Sequence, residues 1–540
     1  MPDMKPKFSL GLLLSGTSVS IYVYEFIKWM LASEHLELRA VFVRPPSSGA
    51  AASYLPDHWQ EDCESKPRPV NVFLFSLVLM LERLLLLKNR DHRHHLQKFD
   101  LLSLVPDRII RKAPDSSSDF SDQPDLDLLI AFAAGPFSKD ILLRAKLGVI
   151  ALSPSDNRVY RGGPPGFWEV YFREDVTGFT IQHLQLCSRK TETIFRGRVA
   201  TQFYYLLNQA SLFKKSNHYL RQVVDRIAIT GTLPASQEKL PFSELPRRVP
   251  ASGHILRYAS GLGRILFSKI LQKLGGDHRW KVAFLPGAWR SAALWRARII
   301  ENEPGHYLAD PFAITRGGNT YCFVEDYDIA RQRGRITVYG IVDGQATYIG
   351  AALQEDFHLS YPYLFHYDGE LYMCPESSAV REIRVYKCVE FPLRWKLEST
   401  IMKGVSAADS MLFERAGRWW MLTNIDPAEW GDHSIELHVF SARTPLDDKW
   451  TPHPGNPFFI DAGYARNGGM VKEGDRLFRV AQGQGFGMYG KRTTVREIVE
   501  ITDSQYLEKL VCVVAPKFRP KIFGTHHLHS DGTITVFDFA

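Results

Sequence analysis

Cysteine, concentrated charge and nucleotide-binding motifs are all scarce in this sequence of 540 residues. The six cysteines are scattered without a CxxC pair, so we expect neither a disulfide framework nor a cysteine-based zinc site. The formal net charge is only +7, with no domain-wide basic run, which argues against a nucleic-acid partner. The glycines after the first strand do not form a dinucleotide fingerprint and no P-loop motif occurs, so no cofactor is predicted.

Long apolar segments are also few. The run from Val70 to Leu87 is strongly apolar, but Glu82 and Arg83 interrupt it. Its apolar core is shorter than the roughly 20 residues of a spanning helix, so we expect a helix that is buried or lies at an interface. Met1 to Lys7 leads directly into a strand-like run instead of a secretory leader, which favours a cytoplasmic protein.

A basic helical segment is expected over residues 241–277. No acidic residue occurs between Glu244 and Asp277, and apolar residues recur at helical spacing from Ile255 to Leu274. Such a helix can bridge two domains, or it can make peripheral contact with a membrane through residues 253–274. The sequence leaves both interpretations open.

Five copies of one short pattern dominate the C-terminal half. The copies begin at Asp310, Tyr361, Asp409, Asn467 and Thr525, at intervals of 48 to 58 residues. Each consists of an apolar strand, a turn that contains glycine and a second apolar-aromatic strand, which is the composition of a β-hairpin. A period of about 50 residues with at least two strands per unit predicts an all-β five-bladed propeller over residues 278–540.

The hairpins also predict where polar side chains meet. The first and sixteenth residues of each copy should face one another at the same end of an antiparallel pair. If these strands are the inner ones, their ends surround one mouth of the central channel. The carboxylates at these positions are candidate catalytic residues, namely Asp310, Glu325, Glu376 and Asp409. The candidate substrate-binding residues at or near these positions are Tyr361, Asn424, Asn467, Gln482, His526 and Arg466.

The N-terminal part, residues 1–240, alternates between strands and helices. Apolar strands are expected at Phe8 to Gly16, Leu38 to Val43, Asp127 to Phe132 and Gly148 to Leu152, with a helix from Val19 to Ala32. Strand–helix–strand alternation predicts a parallel α/β sheet. The fold class is therefore multidomain, with an α/β domain, a helical linker and an all-β domain.

The run from Leu147 to Leu184 resembles the central stretch of the formyltransferase family, which uses formyl-tetrahydrofolate. The matching features are a strand ending in a Pro-Ser loop, the segment YRGGPP at 160–165 and TGFTI at 177–181. The family's catalytic Asn and His positions are occupied by Ala151 and Ser153, and its Asp position falls at Gln185 and Leu186. These residues cannot shuttle a proton or stabilise an oxyanion, so the resemblance implies a retired enzyme fold used as a scaffold.

The C-terminal repeats resemble the clan of five-bladed glycoside hydrolases, with ADPF at 309–312 opening the first copy. The region from about Trp280 onwards is also similar to the propeller-like N-terminal region of plant glucosamine inositolphosphorylceramide transferases. In the hydrolases an Asp at the start of the first inner strand acts as base or nucleophile, which implies this role for Asp310.

Cleaving or forming a glycosidic bond requires one protonated and one ionised carboxyl group. We assign Asp310 as base or nucleophile and Glu376 as acid with Glu325 in reserve, while Asp409 orients the sugar or tunes a neighbour. Arg466 could meet a charged sugar donor. Strand alternation would send His526 and His527 to opposite faces, so no metal site is expected.

Taken together, the sequence predicts a carbohydrate-active protein, a glycosyltransferase or glycosidase in surface polysaccharide or glycolipid metabolism. Its partner would be a glycan, a nucleotide sugar or a glycolipid. Two alternatives stay open. The protein could be a non-catalytic glycan-binding or assembly protein, or a formyltransferase that acts on an amino sugar.

Overall fold

The computed structural model describes residues 7–43, 68–112, 125–132, 143–156, 163–184, 191–237, 250–275 and 279–540. The chain divides into two compact units, unit 1 (residues 1–269) and unit 2 (residues 270–540). The predicted domain bounds at 240 and 277 stay a prediction, since residues 238–249 and 276–278 lie outside the described ranges. Among the described helices, none combines the length and apolar character needed to cross a membrane.

Unit 1 is built on one mixed β-sheet. Its strands are β1 (Phe8–Leu14), β2 (Ser18–Ser20), β3 (Leu36–Val43), β4 (Lys98–Asp100), β5 (Ile110–Lys112), β6 (Leu128–Ala131), β7 (Val149–Ser153), β8 (Val176–Leu184) and β9 (Thr191–Ala200). The main sheet has the order β5-β3-β1-β6-β7-β8-β9, and β2 pairs with β4 apart from it. The first five strands in this order are parallel, whereas β8 runs antiparallel to β7 and β9 antiparallel to β8.

Six helices are described alongside this sheet. They are α1 (Ile21–Leu31), α2 (Pro69–Leu85), α3 (Arg90–His95), α4 (Phe167–Phe172), α5 (Tyr205–Thr230) and α6 (Ser252–Gly275). In the core, α1 contributes Phe26 and Ile27 and α5 contributes Leu220 and Val224, packed against the apolar strands β1 and β6. Strands β1 and β6 are almost continuously apolar, as expected for central strands of a parallel sheet that is covered on both faces.

The predicted strands and the first helix of unit 1 are present within about two residues of their expected ends. The predicted parallel sheet is present in five adjacent strands, whereas β8 and β9 continue one edge as antiparallel strands, which the sequence did not indicate. The helix expected over Val70 to Leu87 is present as α2. Only its Phe75, Val78 and Glu82 are buried, so the helix is not buried as a whole, and its predicted place at an interface stays a prediction.

Unit 2 consists of β-sheets, and three of them are antiparallel throughout. The first is β12 (His306–Arg316), β13 (Asn319–Asp328), β14 (Arg333–Val342) and β15 (Gln345–Leu353), and the second is β16 (Ser360–Tyr367), β17 (Glu370–Glu376), β18 (Glu382–Glu390) and β19 (Arg394–Lys403). The third is β20 (Ala407–Arg415), β21 (Arg418–Ile425), β22 (Glu436–Ala442) and β23 (Thr451–Pro452), with β24 (Phe459–Ile460) paired to β22.

The remaining strands form an eight-stranded sheet. They are β10 (Lys281–Pro286), β11 (Arg298–Ile300), β25 (Asn467–Glu473), β26 (Arg476–Gly485), β27 (Met488–Ile501), β28 (Tyr506–Val514), β29 (Leu528–Ser530) and β30 (Ile534–Phe539), in the order β11-β10-β30-β29-β25-β26-β27-β28. This sheet contains the fourth and fifth hairpins, which meet where β25 runs parallel to β29 at Val471 and Ser530.

All five predicted hairpins are present, and their turn glycines all have positive φ, as the turn chemistry requires: Gly318, Gly369, Gly417, Gly474 and Gly532. The first strands of successive hairpins contact one another in the order β12, β16, β20, β25 and β29, and β29 contacts β12. The starts of the five hairpins are therefore gathered around a common centre of unit 2.

Candidate functional site

A backbone irregularity repeats at the start of the first three hairpins. Asp310, Tyr361 and Asp409 adopt left-handed conformations with φ of 49°, 49° and 51°. The strand register shifts at each of these points, so that Glu325 pairs with Ala309 and Glu376 pairs with Ser360. The predicted pairing of first with sixteenth residues was therefore wrong by one residue, because a bulge inserts an extra residue there. Such bulges re-aim a side chain, and strained residues of this kind cluster at functional sites.

The side chain of Asp310 lies beside two histidines. Its Oδ1 atom is 3.5 Å from His526 Nε2 and 3.6 Å from His527 Nδ1. The other ring nitrogen of His526, Nδ1, lies 2.7 Å from Oδ1 of Asp538. Asp538 also accepts hydrogen bonds from the backbone N–H groups of Asp310, His526 and His527. Asp538 thus orients both the histidine and the strained backbone of Asp310.

A second cluster contains the carboxylate of Asp409. Arg466 donates from Nε to Asp409 Oδ2 at 2.7 Å, and its Nη2 atom lies 3.6 Å from Glu376 Oε2. Gln482 also donates to Asp409 Oδ2, at 3.2 Å. One guanidinium therefore joins carboxylates from the second and third hairpins. Because it already pairs with two acids, Arg466 is placed to balance charge within the site.

Burial and neighbouring charges give the acids different pKa values. Burial raises the pKa of Asp310 to about 8, opposed by the charge of His526 and reinforced by that of Asp409. Burial also raises the pKa of Asp409 to about 6, and Arg466 limits that rise. Burial, together with the charges of Asp310 and Glu376, raises the pKa of Glu325 well above its ordinary range. The charges of the predicted catalytic acids therefore shift one another's pKa values, as like charges do at close range.

The pair of Asp538 and His526 behaves in the opposite way. Although burial acts to raise it, contact with His526 lowers the pKa of Asp538. Burial lowers the basicity of His526, but the charge of Asp538 outweighs this effect and raises the pKa of His526 above its ordinary value. His527 has no comparable partner, and burial lowers its pKa to about 3. The site thus combines an ion pair with carboxyl groups that favour their protonated form.

Three of the predicted substrate-binding residues are occupied by structural contacts. Asn424 donates from Nδ2 to two backbone carbonyls, at 2.7 and 2.9 Å, and its Oδ1 accepts from the backbone N–H of Asn467. Asn467 donates to the backbone carbonyl of Asp409 at 2.8 Å, and the hydroxyl of Tyr361 accepts from Gly469 N at 2.9 Å. All three side chains are fully buried. They hold the hairpin starts together and are not exposed to a sugar.

Asp538 was not predicted as a site residue, and the prediction that His526 and His527 face opposite ways was wrong. His526 and His527 do not alternate, because the regular strand β29 begins only at Leu528, and both rings approach Asp310. The signal for Asp538 was present in the sequence. It is a lone carboxylate within the apolar strand β30, and such a residue requires a buried partner.

Asp310, His526 and Asp538 each offer one possible metal-ligand atom, and these atoms lie within 4.8 Å of one another. However, both oxygens of Asp538 already accept hydrogen bonds, from the imidazole and from three backbone N–H groups. The donor set consequently suits proton sharing between Asp310 and His526 better than it suits a cation.

Partly exposed aromatic rings flank these clusters. Tyr489 is 47% exposed, and its ring lies 5.2 Å from the guanidinium carbon of Arg466 and 5.3 Å from the ring of His526. The ring of Trp280 lies 4.0 Å from His526. An aromatic face beside carboxyl groups is a suitable surface for the apolar face of a sugar ring.

Residues 296–523 match the family model described as glucosamine inositolphosphorylceramide transferase 1, N-terminal. The chain is 35% identical over 210 residues to glucosamine inositolphosphorylceramide transferase 1 of Arabidopsis thaliana, covering 38% of this chain and 27% of that protein. It is 34% identical over 211 residues to the protein of that name from Oryza sativa subsp. japonica, covering 38% and 28%. The chain therefore spans little more than a quarter of the length of these curated relatives.

Solved structures are also similar to this chain. Zg3597, a family 117 glycoside hydrolase of Zobellia galactanivorans, has 12% identity and a TM-score of 0.33, and the match covers 48% of this chain and 90% of that chain. The α-L-arabinanase of Cellvibrio cellulosa has 16% identity and a TM-score of 0.31, covering 42% and 85%.

Proposed function

We propose that unit 2 is a five-bladed propeller that carries out glycosidic-bond chemistry at the centre where its five hairpins meet. Two independent observations support a carbohydrate-active protein. The first is the match of residues 296–523 to a transferase family. The second is the cyclic contact of the first strands, which brings acids from separate hairpins together.

The observation that carries the proposal is the division of these acids into two protonation classes. At neutral pH, burial keeps Asp310 and Glu325 largely protonated, while contact with His526 keeps Asp538 ionised. Asp409, with a pKa of about 6 beside Arg466, is mostly ionised. Pairs of carboxyl groups whose environments separate their pKa values are what acid–base chemistry at a sugar needs.

We assign the role of general acid to Glu325 instead of Glu376. Glu325 is held in its protonated form and can therefore donate to a leaving oxygen. Glu376 accepts a hydrogen bond from Ser378 Oγ at 2.7 Å, and its Oε2 atom lies 3.6 Å from Nη2 of Arg466, so its carboxyl group is already used in contacts within the protein. Glu376 and Asp409 then fix Arg466.

Asp310 is the base or nucleophile in this proposal. Asp310 acts in its ionised form, which the imidazolium of His526 stabilises from Nε2, 3.5 Å away, while Asp538 holds that imidazolium at Nδ1. The proton that Asp310 carries at neutral pH is released to solvent before the carboxylate acts at the anomeric carbon. His526 is thus a positioning and proton-holding residue.

The relatives' name combines glucosamine, inositolphosphorylceramide and transferase. We therefore propose sugar transfer to a glycolipid or surface polysaccharide, with a nucleotide-activated amino sugar as donor. The test is to incubate the full chain with UDP-N-acetylglucosamine and related donors and to measure UDP release with and without lipid acceptors. Both Asp310→Asn and Glu325→Gln should lower turnover by at least about a hundredfold while donor binding persists.

Asp475→Asn serves as the matched control, because Asp475 is an exposed acid outside the site and its replacement should not change the rate. If the wild type binds sugars but neither releases UDP nor cleaves a glycoside, the protein is a glycan-binding module. Turnover that survives both site substitutions would place the chemistry elsewhere.

For unit 1 we propose a formyltransferase-like scaffold without formyl transfer. The strand order β5-β3-β1-β6-β7-β8-β9, with Ala151 and Ser153 on β7, supports this interpretation. Gln185 and Leu186, and residues 160–162 of the YRGGPP segment, lie outside the described residues. Calorimetric titration with a folate analogue should show no binding, and saturable binding would restore formyl transfer to an amino sugar as a candidate activity.

A further inference from the structure

Helix α2 presents an apolar stripe to solvent. Phe73, Leu77, Met80 and Leu84 follow one another at helical spacing and are 67%, 43%, 50% and 57% exposed. The opposite side of the same helix carries the buried residues Phe75, Val78 and Glu82. A helix that is apolar on both sides buries one of them in its own fold and leaves the other for a partner.

Helix α6 adds a second exposed stripe. Leu256 and Phe267 are 65% and 63% exposed and stand eleven residues apart, which is about three helical turns and therefore the same side of the helix. Ser260 and Gly263 lie between them on this side. The stripe is thus small or apolar along its length.

Specific contacts fix the two helices next to each other. Ser252 donates to Asn71 Oδ1 from both its backbone N and its Oγ, at 3.1 and 2.6 Å. Tyr258 hydrogen-bonds to Glu82, whose carboxylate also accepts from the first backbone N–H groups of α5. These bonds use the carboxylate of Glu82 inside the protein, so it contributes no negative charge to the outer surface.

Both helices pack inward against the same aromatic ring. The rings of Phe75 and Tyr258 each lie 5.2 Å from the ring of Phe167 in α4. Since their inner sides share one contact, α2 and α6 are neighbours, and we take their exposed stripes as adjacent surfaces of unit 1. Together they form what we call the apolar platform, composed of Phe73, Leu77, Met80, Leu84, Leu256 and Phe267.

The exposed charges on the segments that contain α2 and α6 have one sign. Within residues 68–90 and 250–267 the only acidic residue is the buried Glu82. The exposed cations in these ranges are Arg68, Arg83, Lys88, Arg90, Arg257 and Arg264. A protein partner would pair its own polar groups with polar residues at the edge of the apolar surface. Uniform positive charge beside an apolar surface instead matches a bilayer, in which anionic lipid headgroups lie above acyl chains.

We propose that the apolar platform docks unit 1 onto an anionic lipid bilayer, with α2 and α6 lying along the membrane surface. The inner sides of both helices are held by the protein, so only their outer stripes can enter the headgroup region. The cations provide long-range attraction and the apolar side chains provide insertion. This inference rests on unit 1 alone and is independent of the chemistry proposed for unit 2.

The test is co-sedimentation of the full chain with vesicles of phosphatidylcholine alone or of phosphatidylcholine with phosphatidylserine. The wild type should bind the phosphatidylserine vesicles, and Phe73→Glu with Leu77→Glu should weaken binding at least about tenfold. The matched control is Val342→Glu with Leu507→Glu, two residues of unit 2 that are 57% and 54% exposed, and it should bind like the wild type.

Charge removal gives a second measurement that does not depend on the apolar substitutions. Each of Arg83→Gln, Arg257→Gln and Arg264→Gln should weaken binding to phosphatidylserine vesicles about fivefold. The proposal is overturned if the wild-type protein binds neither kind of vesicle, and also if it binds both kinds equally well. A wild-type dimer that Phe73→Glu converts to a monomer would assign the platform to a second copy of the chain.

Discussion

The buried carboxyl group of Asp310 should make the stability of the protein depend on pH. Burial raises its pKa from 3.8 to about 8, so the folded protein retains a proton that the unfolded chain has already released. When the folded state binds more protons than the unfolded state, the free energy of unfolding falls as pH rises. This fall in the free energy of unfolding takes place between about pH 4 and about pH 8. Replacement by Asn removes the ionisable group and with it this contribution.

The size of this pH effect on stability follows from the shift in the pKa of Asp310. One pKa unit corresponds to about 1.4 kcal/mol, so the four units give a ceiling of about 6 kcal/mol between the ends of this pH range. Proton sharing with His526 spreads the change over both groups and makes it smaller. Between pH 5 and pH 7 we expect the stability of Asp310→Asn relative to the wild type to increase by about 2 kcal/mol.

Urea unfolding of the full chain, followed by tryptophan fluorescence at several pH values, measures this difference. What is compared is how the difference in free energy of unfolding between variant and wild type changes with pH. Its absolute value at one pH is not used, because the amide also changes local hydrogen bonding. Asp475→Asn, at an exposed acid of unit 2, is the matched control and should give a curve parallel to the wild type. Parallel curves for Asp310→Asn as well would refute the claim that Asp310 is protonated in the fold.

Three further predictions concern packing and the site. Glu508→Gln should lower the free energy of unfolding by about 3–5 kcal/mol in urea titrations, because it leaves the fully buried guanidinium of Arg479 without its ion-pair partner. Gly490→Ala should lower the melting temperature far more than Gly474→Ala. Both positions have positive φ, but a Cβ at Gly490 would stand 2.7 Å from a neighbouring histidine, whereas nothing lies within 4 Å at Gly474. Tyr489→Ala should weaken sugar binding about fivefold to tenfold by calorimetry with only a small fall in melting temperature, since its ring is 47% exposed although it contacts Arg466 and His526.

Much of the fold could be predicted from the sequence because its signals are local. Each hairpin combines alternating apolar residues with a turn glycine, and the period of about 50 residues is visible without any contact information. The parallel strands of unit 1 are continuous apolar runs. The antiparallel pair β8 and β9 was missed, because strand direction depends on which edge is free and not on composition.

The site was only partly predictable. Asp310, Glu325, Glu376 and Asp409 could be named because they recur in register. The role of Asp538 could not, since it depends on a contact with His526 twelve residues away across a hairpin. Likewise, the polarity of Asn424 looks like that of a binding residue in the sequence, yet its amide is used by backbone carbonyls. A repeat pattern shows which positions are equivalent but not whether each side chain faces the cavity or the backbone.

Tyr361 helps to separate what the repeat imposes from what the chemistry uses. It has the same left-handed backbone as Asp310 and Asp409, although its side chain is a bulky buried ring and not a carboxylate. Each such residue costs on the order of 1–2 kcal/mol, so the bulge must be enforced by the packing of the hairpin starts. The carboxylates at the first and third hairpins are therefore aimed by a backbone shape that exists independently of them. It follows that Asp310→Asn should leave the bulge intact while it removes the ionisable group.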